Sequence, residues 1–293
     1  MTKKHQLIKL YCDICHIMND IMIVAETQRL SNNFRPQFTD EECVTVFLWG
    51  VIERRFEVKA IHEFVQSYWE GWFPDLPSYQ AFSNRLCNLA NIFPLIIEAF
   101  MDKIPNGYAL PLHLVDSLPI IVANAKRSSR AKSAGQMCDK GYCDSKKMYY
   151  YGVKLHVLGQ QQYQSIPNPV AIYLSSASDA DLTVAKQFVS PLYNSPLVGD
   201  KAYQDKFWEE QILLPRNVHL LSPVKKAKGQ VYLDAADSLY SAAVSSIRQA
   251  IESFFNWLQE KTHIQFASKV RSERGLLLHV FGRFAAALAS LLI

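Results

Sequence analysis

Three acids in this 293-residue chain stand where an unpartnered carboxylate is costly. Asp116 follows Leu114-Val115 in an apolar run, and Asp200 follows Leu197-Val198-Gly199. Glu252 belongs to a stretch of helical rhythm in which Ile247, Ile251, Phe254, Phe255 and Leu258 recur at i, i+4, i+7, i+8 and i+11. Burying such acids without a partner or a metal is unfavourable. If the runs that end in Asp116 and Asp200 are neighbouring strands, both acids project at one sheet edge, and Glu252 completes a cluster of three carboxylates. That cluster has no charge balance of its own, which calls for hard divalent cations held by oxygen, Mg²⁺ first. Two such ions some 3.5–4 Å apart, roughly, activate an attacking oxygen and stabilise the leaving one in an in-line phosphoryl displacement. Water as attacker nicks a strand, and a 3′-hydroxyl transfers one. Arg248, one turn before Glu252, reads in isolation as half of an ordinary i,i+4 ion pair.

The elements that must position these residues fall into two textures. Residues 6–27 and about 58–68 read as helices, and between them Thr39 or Asp40 is placed to cap another that carries Val44, Val46, Phe47, Leu48 and Val51 inward. A break at 73–78 precedes a helix that Ser78 caps and that presents Gln80, Ser83, Asn84 and Arg85. Two short helices about a Pro-containing turn suit either a DNA-reading helix-turn-helix or plain packing. Ile104-Pro105-Asn106-Gly107 marks a domain boundary, dividing a helical domain at 1–106 from a domain at 107–293. Beyond it, strands are expected at 110–123, 148–158, 169–175, 196–200 and 218–223, with helices from a cap within 179–182 through about 188, at 204–214 and at 239–261. Three successive strands, then strands alternating with helices, give a mixed five-stranded sheet flanked by helices, of α+β or α/β class.

Composition sets the outer limits. With 49% hydrophobic and 20% charged residues the chain is globular, and a net charge of +4 permits a polyanionic partner without demanding one. Cys12 and Cys15 form a lone C-x-x-C inside a helical run and read as buried structural thiols. The charged opening is no secretory signal, so a reducing cytoplasm is the expectation. Residues 276–293 are the most apolar run, yet His279 and Arg283 interrupt it, and a buried C-terminal helix is expected over a membrane span.

Four blocks in order closely resemble bacterial insertion-sequence DDE transposases: Val115-Asp116-Ser117-Leu118-Pro119-Ile120; Gly141-Tyr142-Cys143 with Tyr149-Tyr150-Tyr151-Gly152-Val153-Lys154-Leu155-His156; Gly199-Asp200-Lys201-Ala202-Tyr203; and Arg248-x-x-x-Glu252-Ser253-Phe254-Phe255-Asn256-Trp257-Leu258. The resemblance covers 115–261 strongly and the helical region more loosely. It implies a ribonuclease H-like catalytic domain with Asp116, Asp200 and Glu252 as catalytic acids and metal ligands for two Mg²⁺ ions, Mn²⁺ substituting. It further implies double-stranded DNA as partner, both terminal inverted repeats and target, a homodimer bridging two ends, and action in the bacterial cytoplasm at the nucleoid. Arg248 is similar to the basic residue of the signature some relatives carry around the last acid. Those relatives place a Tyr three residues before that Arg, where Ser245 stands, and a Lys seven residues after the Glu, where Gln259 stands. Lys261 comes two positions late, which assigns the chain to a neighbouring branch. Two rival readings remain: a ribonuclease H-like nuclease that only hydrolyses, and a catalytically silent DNA-binding descendant.

The basic run Lys126, Arg127, Arg130 and Lys132, extended by Lys146 and Lys147 with tyrosines interleaved, reads as a phosphate-contacting surface or as a solvated loop. Arg248, Lys154, Lys201 and Lys261 join the DNA-contact candidates. His156, Tyr203 and Asn256 are candidates to support the acids, with a satisfied core histidine as the other reading of His156. Lys154 and His156 share one face of the second strand, next to the expected place of Asp116. Asp179 and Asp181 compete as ligands, but their position before a helix favours capping.

Overall fold

The computed structural model describes residues 2–27, 36–124, 127–143, 146–189 and 192–293. In chain order the first elements are helices α1 (Lys3–Met18), α2 (Ile21–Thr27), α3 (Asp40–Ile52), α4 (Val58–Tyr68), α5 (Tyr79–Asn88) and α6 (Phe93–Lys103). Then come strands β1 (Ala109–Asn124), β2 (Asp139–Cys143), β3 (Met148–Gln162) and β4 (Ser165–Ser176), helix α7 (Asp181–Phe188) and strand β5 (Ser195–Val198). Helix α8 (Lys206–Trp208), strand β6 (Val218–Leu221) and helices α9 (Ala235–Thr262), α10 (Glu273–Leu277) and α11 (Arg283–Leu292) complete the order. Contacts divide the chain into two compact units, Met1–Ile104 with Leu258–Ile293, and Pro105–Trp257. The first division lies close to the expected boundary at 106. The second departs from the expected single domain at 107–293, because the C-terminal helices bury their side chains with α3 and α6.

In the helical unit, α3 is the central element. Every residue from 43 to 51 is buried, as in a helix that is apolar on all sides, and α1, α4, α5 and α11 pack around it. Thr39 and Glu42 cap it reciprocally, so Thr39 is the cap that the sequence left open between two residues. The helix expected at 6–27 is broken in two at Asn19-Asp20, where the Asp20 carboxylate accepts from the Met22 amide at 2.8 Å. Cys12 is exposed and Cys15 half-buried, contrary to the buried thiols expected, since their helix packs through Leu7, Leu10 and Ile14. The connection from α4 to α5 spans Trp69 to Ser78, longer than the roughly three- or four-residue turn of a compact helix-turn-helix. Ser78 caps α5 as expected; Arg85 is bound to Asp40 and to the Phe38 carbonyl.

The apolar run at the C-terminus is helical, with a wider π turn at Leu278–Gly282 linking α10 to α11, and Phe284 to Ala289 are buried. The two polar interruptions serve the packing. Arg283 donates to the Thr262 and His263 carbonyls at 2.9 and 3.0 Å, satisfying groups left open at the end of α9. His279 donates from Nε2 to the Ile264 carbonyl at 2.7 Å.

The sheet of the second unit runs β2-β3-β1-β5-β6, with β4 also on β3. β1 lies antiparallel to β3 and parallel to β5, which is parallel to β6. β2 and β4 occupy successive stretches of one edge of β3, at 148–152 and 153–162. Leaving β2 aside, this is the five-strand order of a ribonuclease H-like α+β sheet. β2 was not expected; it is a short strand rich in polar residues, with an exposed-and-buried alternation too brief to read. After a 3₁₀ turn at Lys201–Tyr203, the helix expected at 204–214 is a run of short turns: α8, a π turn at Glu209–Leu213 and a 3₁₀ turn at Leu214–Arg216. Val115, Leu158, Ala185, Val189, Leu197, Tyr203 and Trp208 form the core under α7 and α8.

Two outcomes follow. A Cβ at Gly152 would stand 2.0 Å from the Ile120 carbonyl oxygen of β1, a backbone atom that cannot yield without breaking the ladder. G152A is therefore expected to lose on the order of 3 kcal/mol or more, or to fail to fold, in urea unfolding. An unchanged midpoint would contradict this register. Burial holds the His279 imidazole down to about 3, so the folded chain keeps it neutral while the unfolded chain takes up a proton below its ordinary 6.5. Stability should fall as pH drops from 6.5 toward 3, and H279N should melt with a shallower loss between pH 7 and 5.

Candidate active site

Asp116 lies mid-strand on β1, paired with Val157 of β3. Side chains alternate along a strand, so its neighbour Val115 enters the core under α7 and α8 while Asp116 faces the other side of the sheet. Its Oδ1 accepts from the Ser117 amide at 2.8 Å. Burial pushes the carboxyl up to about 6, against the pull of the Arg248 guanidinium and the Ser117 amide; Asp181 and Asp200 add to the rise.

The parallel register of β1 and β5 sets the second acid beside the first. Leu114 pairs with Val198, so Asp116 and Asp200 each stand two positions beyond one aligned pair. Asp200 follows the end of β5 and caps the 3₁₀ turn Lys201–Tyr203, its Oδ1 accepting from the Lys201 amide at 2.6 Å. Gly199 leaves the space this needs: a Cβ there would stand 2.9 Å from the Tyr203 ring and 3.2 Å from Val115 Cγ1. The buried Tyr203 ring thus supports the turn from beneath. Burial raises its hydroxyl well above the ordinary range.

The third acid comes from α9. Ile251, Phe254 and Phe255 are buried, and a Cβ at Gly159 of β3 would sit 3.5 Å from Ile251 Cδ1, so the helix docks over the Leu114–Gly159 pair. Burying one such aliphatic side chain is worth roughly 1.5–3 kcal/mol, more than a surface ion pair, so packing aims the polar row. Ile247, expected on the packed face, is 37% exposed.

Arg248 binds the three acids together. Its Nη2 is 3.2 Å from Asp116 Oδ2 and 3.7 Å from Glu252 Oε1, and its Nη1 is 3.8 Å from Asp200 Oδ1. The side chains of Asp116, Asp200 and Glu252 are 20%, 41% and 54% exposed, so the acids grade from a part-buried floor to an open mouth. The three acids therefore converge, but on a guanidinium. Among the described residues no three acidic, His or Cys side chains stand close enough to one another to hold an ion. The donor set nevertheless fits Mg²⁺: it is wholly carboxylate oxygen, and a cation of the chain already stands at the point of convergence. Asp116, Asp200 and Glu252 are the residues that would hold it.

The other candidates are scattered. Lys154 does not reach this site. Its cross-strand partner is Pro119 and that of His156 is Ser117, which sets both on the α7 face, opposite Asp116. The Lys154 ammonium donates to Asp181 Oδ1 at 2.9 Å and to the Asp179 carbonyl at 2.8 Å. His156 bonds the Ser175 hydroxyl at 2.9 Å through Nε2 and lies against Phe188; burial holds it down to about 4, so it is a core histidine, but not the satisfied one expected, since its buried Nδ1 has no partner among the described residues. Asp179 and Asp181 do not cap α7, whose cap is Ala180. Asp179 instead accepts from the Ser176 amide at 3.0 Å. The Lys154–Asp181 pair is the element missed from sequence. Its only signal was an acid in a first helical turn and a lysine pointing inward from a buried strand.

Lys201 is exposed beside Asp200, and Asn256 is exposed on α9. Lys261, near the end of α9, belongs to the helical unit. Arg127, Arg130, Lys132, Lys146 and Lys147 are exposed, while Lys126 lies outside the described residues. Near Lys146 and Lys147, Lys140 stands 4.6 Å over the Tyr149 ring, which meets Tyr142 edge-on at 5.0 Å.

Because Asp200 rests on the Gly199–Tyr203 contact, G199A should lower thermal stability by about 1–3 kcal/mol through overpacking. Retention of the wild-type melting temperature would show that the turn is not held this way.

The transposase DDE domain model matches residues 114–289. No curated protein and no solved structure matches the chain. The match covers more than half of the chain and takes in all three acids in the order in which the sheet and α9 assemble them, and the chain belongs to the transposase DDE-domain family.

Proposed function

We propose that the protein is a DNA transposase of an insertion sequence that cleaves phosphodiester bonds at the ends of its element and joins the freed 3′-hydroxyl to target DNA. The observation that carries this reading is the convergence of Asp116, Asp200 and Glu252 on one point between β1, the end of β5 and α9. Bound there, two Mg²⁺ ions would supply charge stabilisation to the attacking and leaving oxygens of an in-line displacement. The chain's own residues provide the frame. The ladder fixes Asp116, the capped turn holds Asp200, and Glu252 stays at the open mouth where a phosphodiester can arrive.

Exposed Arg127, Arg130, Lys132, Lys146 and Lys147 offer phosphate contacts, with Tyr142 and Tyr149 beside them as stacking surfaces. Lys154, committed to Asp181, is withdrawn from that role. Terminal repeats and target are the two double-stranded partners, with two copies bridging the two ends in the bacterial cytoplasm.

The test uses plasmid DNA carrying the element ends and a labelled 3′-hydroxyl donor end. D116A, D200A and E252A should bind the ends as the wild type does and lose cleavage by at least about a thousandfold in Mg²⁺. Near-normal nicking by any of the three overturns the assignment of the acids. Nicking by the wild type without joining reduces the activity to that of a nuclease.

A further inference from the structure

The guanidinium at the point of convergence is poorly satisfied where it stands. Of its three ionic contacts only the one to Asp116, at 3.2 Å, is within ordinary hydrogen-bond reach; those to Glu252 and Asp200 are 3.7 and 3.8 Å long. Its Nε is buried and donates to nothing. A guanidinium is built for flat, two-pronged recognition of one carboxylate, and here it is spread over three. It supplies one positive charge against three negative ones. One and the same nitrogen, Nη2, lies against both Asp116 and Glu252, so Arg248 occupies a place from which a single ion would touch both.

We propose that Arg248 is the resident counter-cation of the metal-free protein, and that it must withdraw before a divalent ion is held by Asp116, Asp200 and Glu252. Arginine and metal are then competitors for the same three carboxylates. The inference rests on the metal-dependent reading given above. It accounts for two observations together: the acids converge, and they are not close enough to one another to share an ion. A compact divalent ion needs oxygens at about 2.0–2.1 Å, so the carboxylates have to close inward once the larger guanidinium has left. In this role Arg248 positions the acids without touching the reacting atoms. It keeps like charges gathered that would otherwise repel, and it sets a threshold against idle loading.

The full chain is titrated with Mn²⁺, the bound ion being counted from loss of the free-ion electron paramagnetic resonance signal. R248Q should bind Mn²⁺ at least about fivefold more tightly than the wild type, the size of a modest antagonism between two ligands of one site. It should also melt lower than the wild type when no metal is present. R248K, which keeps the charge, should stay close to the wild-type affinity, and D200N should lose binding in either background. A second readout needs only the intact site: the Arg248 Nε–H resonance of the wild type, identified by its absence in R248K, should move when Mg²⁺ is added. Equal or weaker Mn²⁺ binding by folded R248Q overturns the competition, as does an unmoved Nε–H resonance while Mg²⁺ raises the melting temperature. If D200N abolishes Mn²⁺ binding in those cases, the competition alone has failed. If neither the wild type nor R248Q binds Mn²⁺, the metal-dependent reading fails with it.

Discussion

Three carboxylates gathered at one edge of a sheet repel one another, and the second unit is organised around the cation that offsets this repulsion. Arg248 is within 3.8 Å of all three acids, yet it comes from a helix that could be removed without touching the strands that carry two of them. The charge balance of the site thus depends on a docking interaction between α9 and β3, made by Ile251 at Gly159. Burial of Asp116 makes the balance incomplete: its carboxyl stays well above the ordinary range with the guanidinium in contact. Each acid also has a backbone reason to be where it is. Asp116 sits in a ladder, Asp200 caps a turn, and Glu252 follows Arg248 by one helical turn.

What could be read from the residues was set by periodicity and by chemical cost. The long helix around Glu252, the strands at β1 and β5 and the cap at Ser78 each have a signal that is local and strong. The acids at 116 and 200 were legible because an apolar run ending in a carboxylate is expensive unless something answers it. Their levelness is not local: it depends on the pairing of Leu114 with Val198, a register between strands far apart in sequence.

The errors at the sheet have one physical origin. Lys154 and His156 were expected beside Asp116 because they lie on the neighbouring strand, but cross-strand pairing puts them level with Pro119 and Ser117, on the opposite face. A shift of one residue in register inverts a side chain, and period-two alternation cannot supply that register alone. The same gap concealed the Lys154–Asp181 pair and strand β2, whose partner is recognisable only once β3 is in place. At the chain's end, apolar character was legible but its destination was not, since hydrophobicity states that a helix is buried without naming the neighbours that bury it.

The division between the two compact units falls between Trp257 and Leu258, inside the unbroken helix α9 and only a few residues after Glu252. Domains commonly meet at exposed, flexible linkers, and that is where chains are cut and recombined. This chain offers such a seam at its first crossing, near Pro105, and a helix at its second. The sheet cannot be inherited as a free-standing cassette, because any exchange that keeps the third acid also carries the start of the helix that ends among the residues of the other unit. Replacement of the helical unit by a different one is therefore constrained to preserve an uninterrupted helical turn across 257–258.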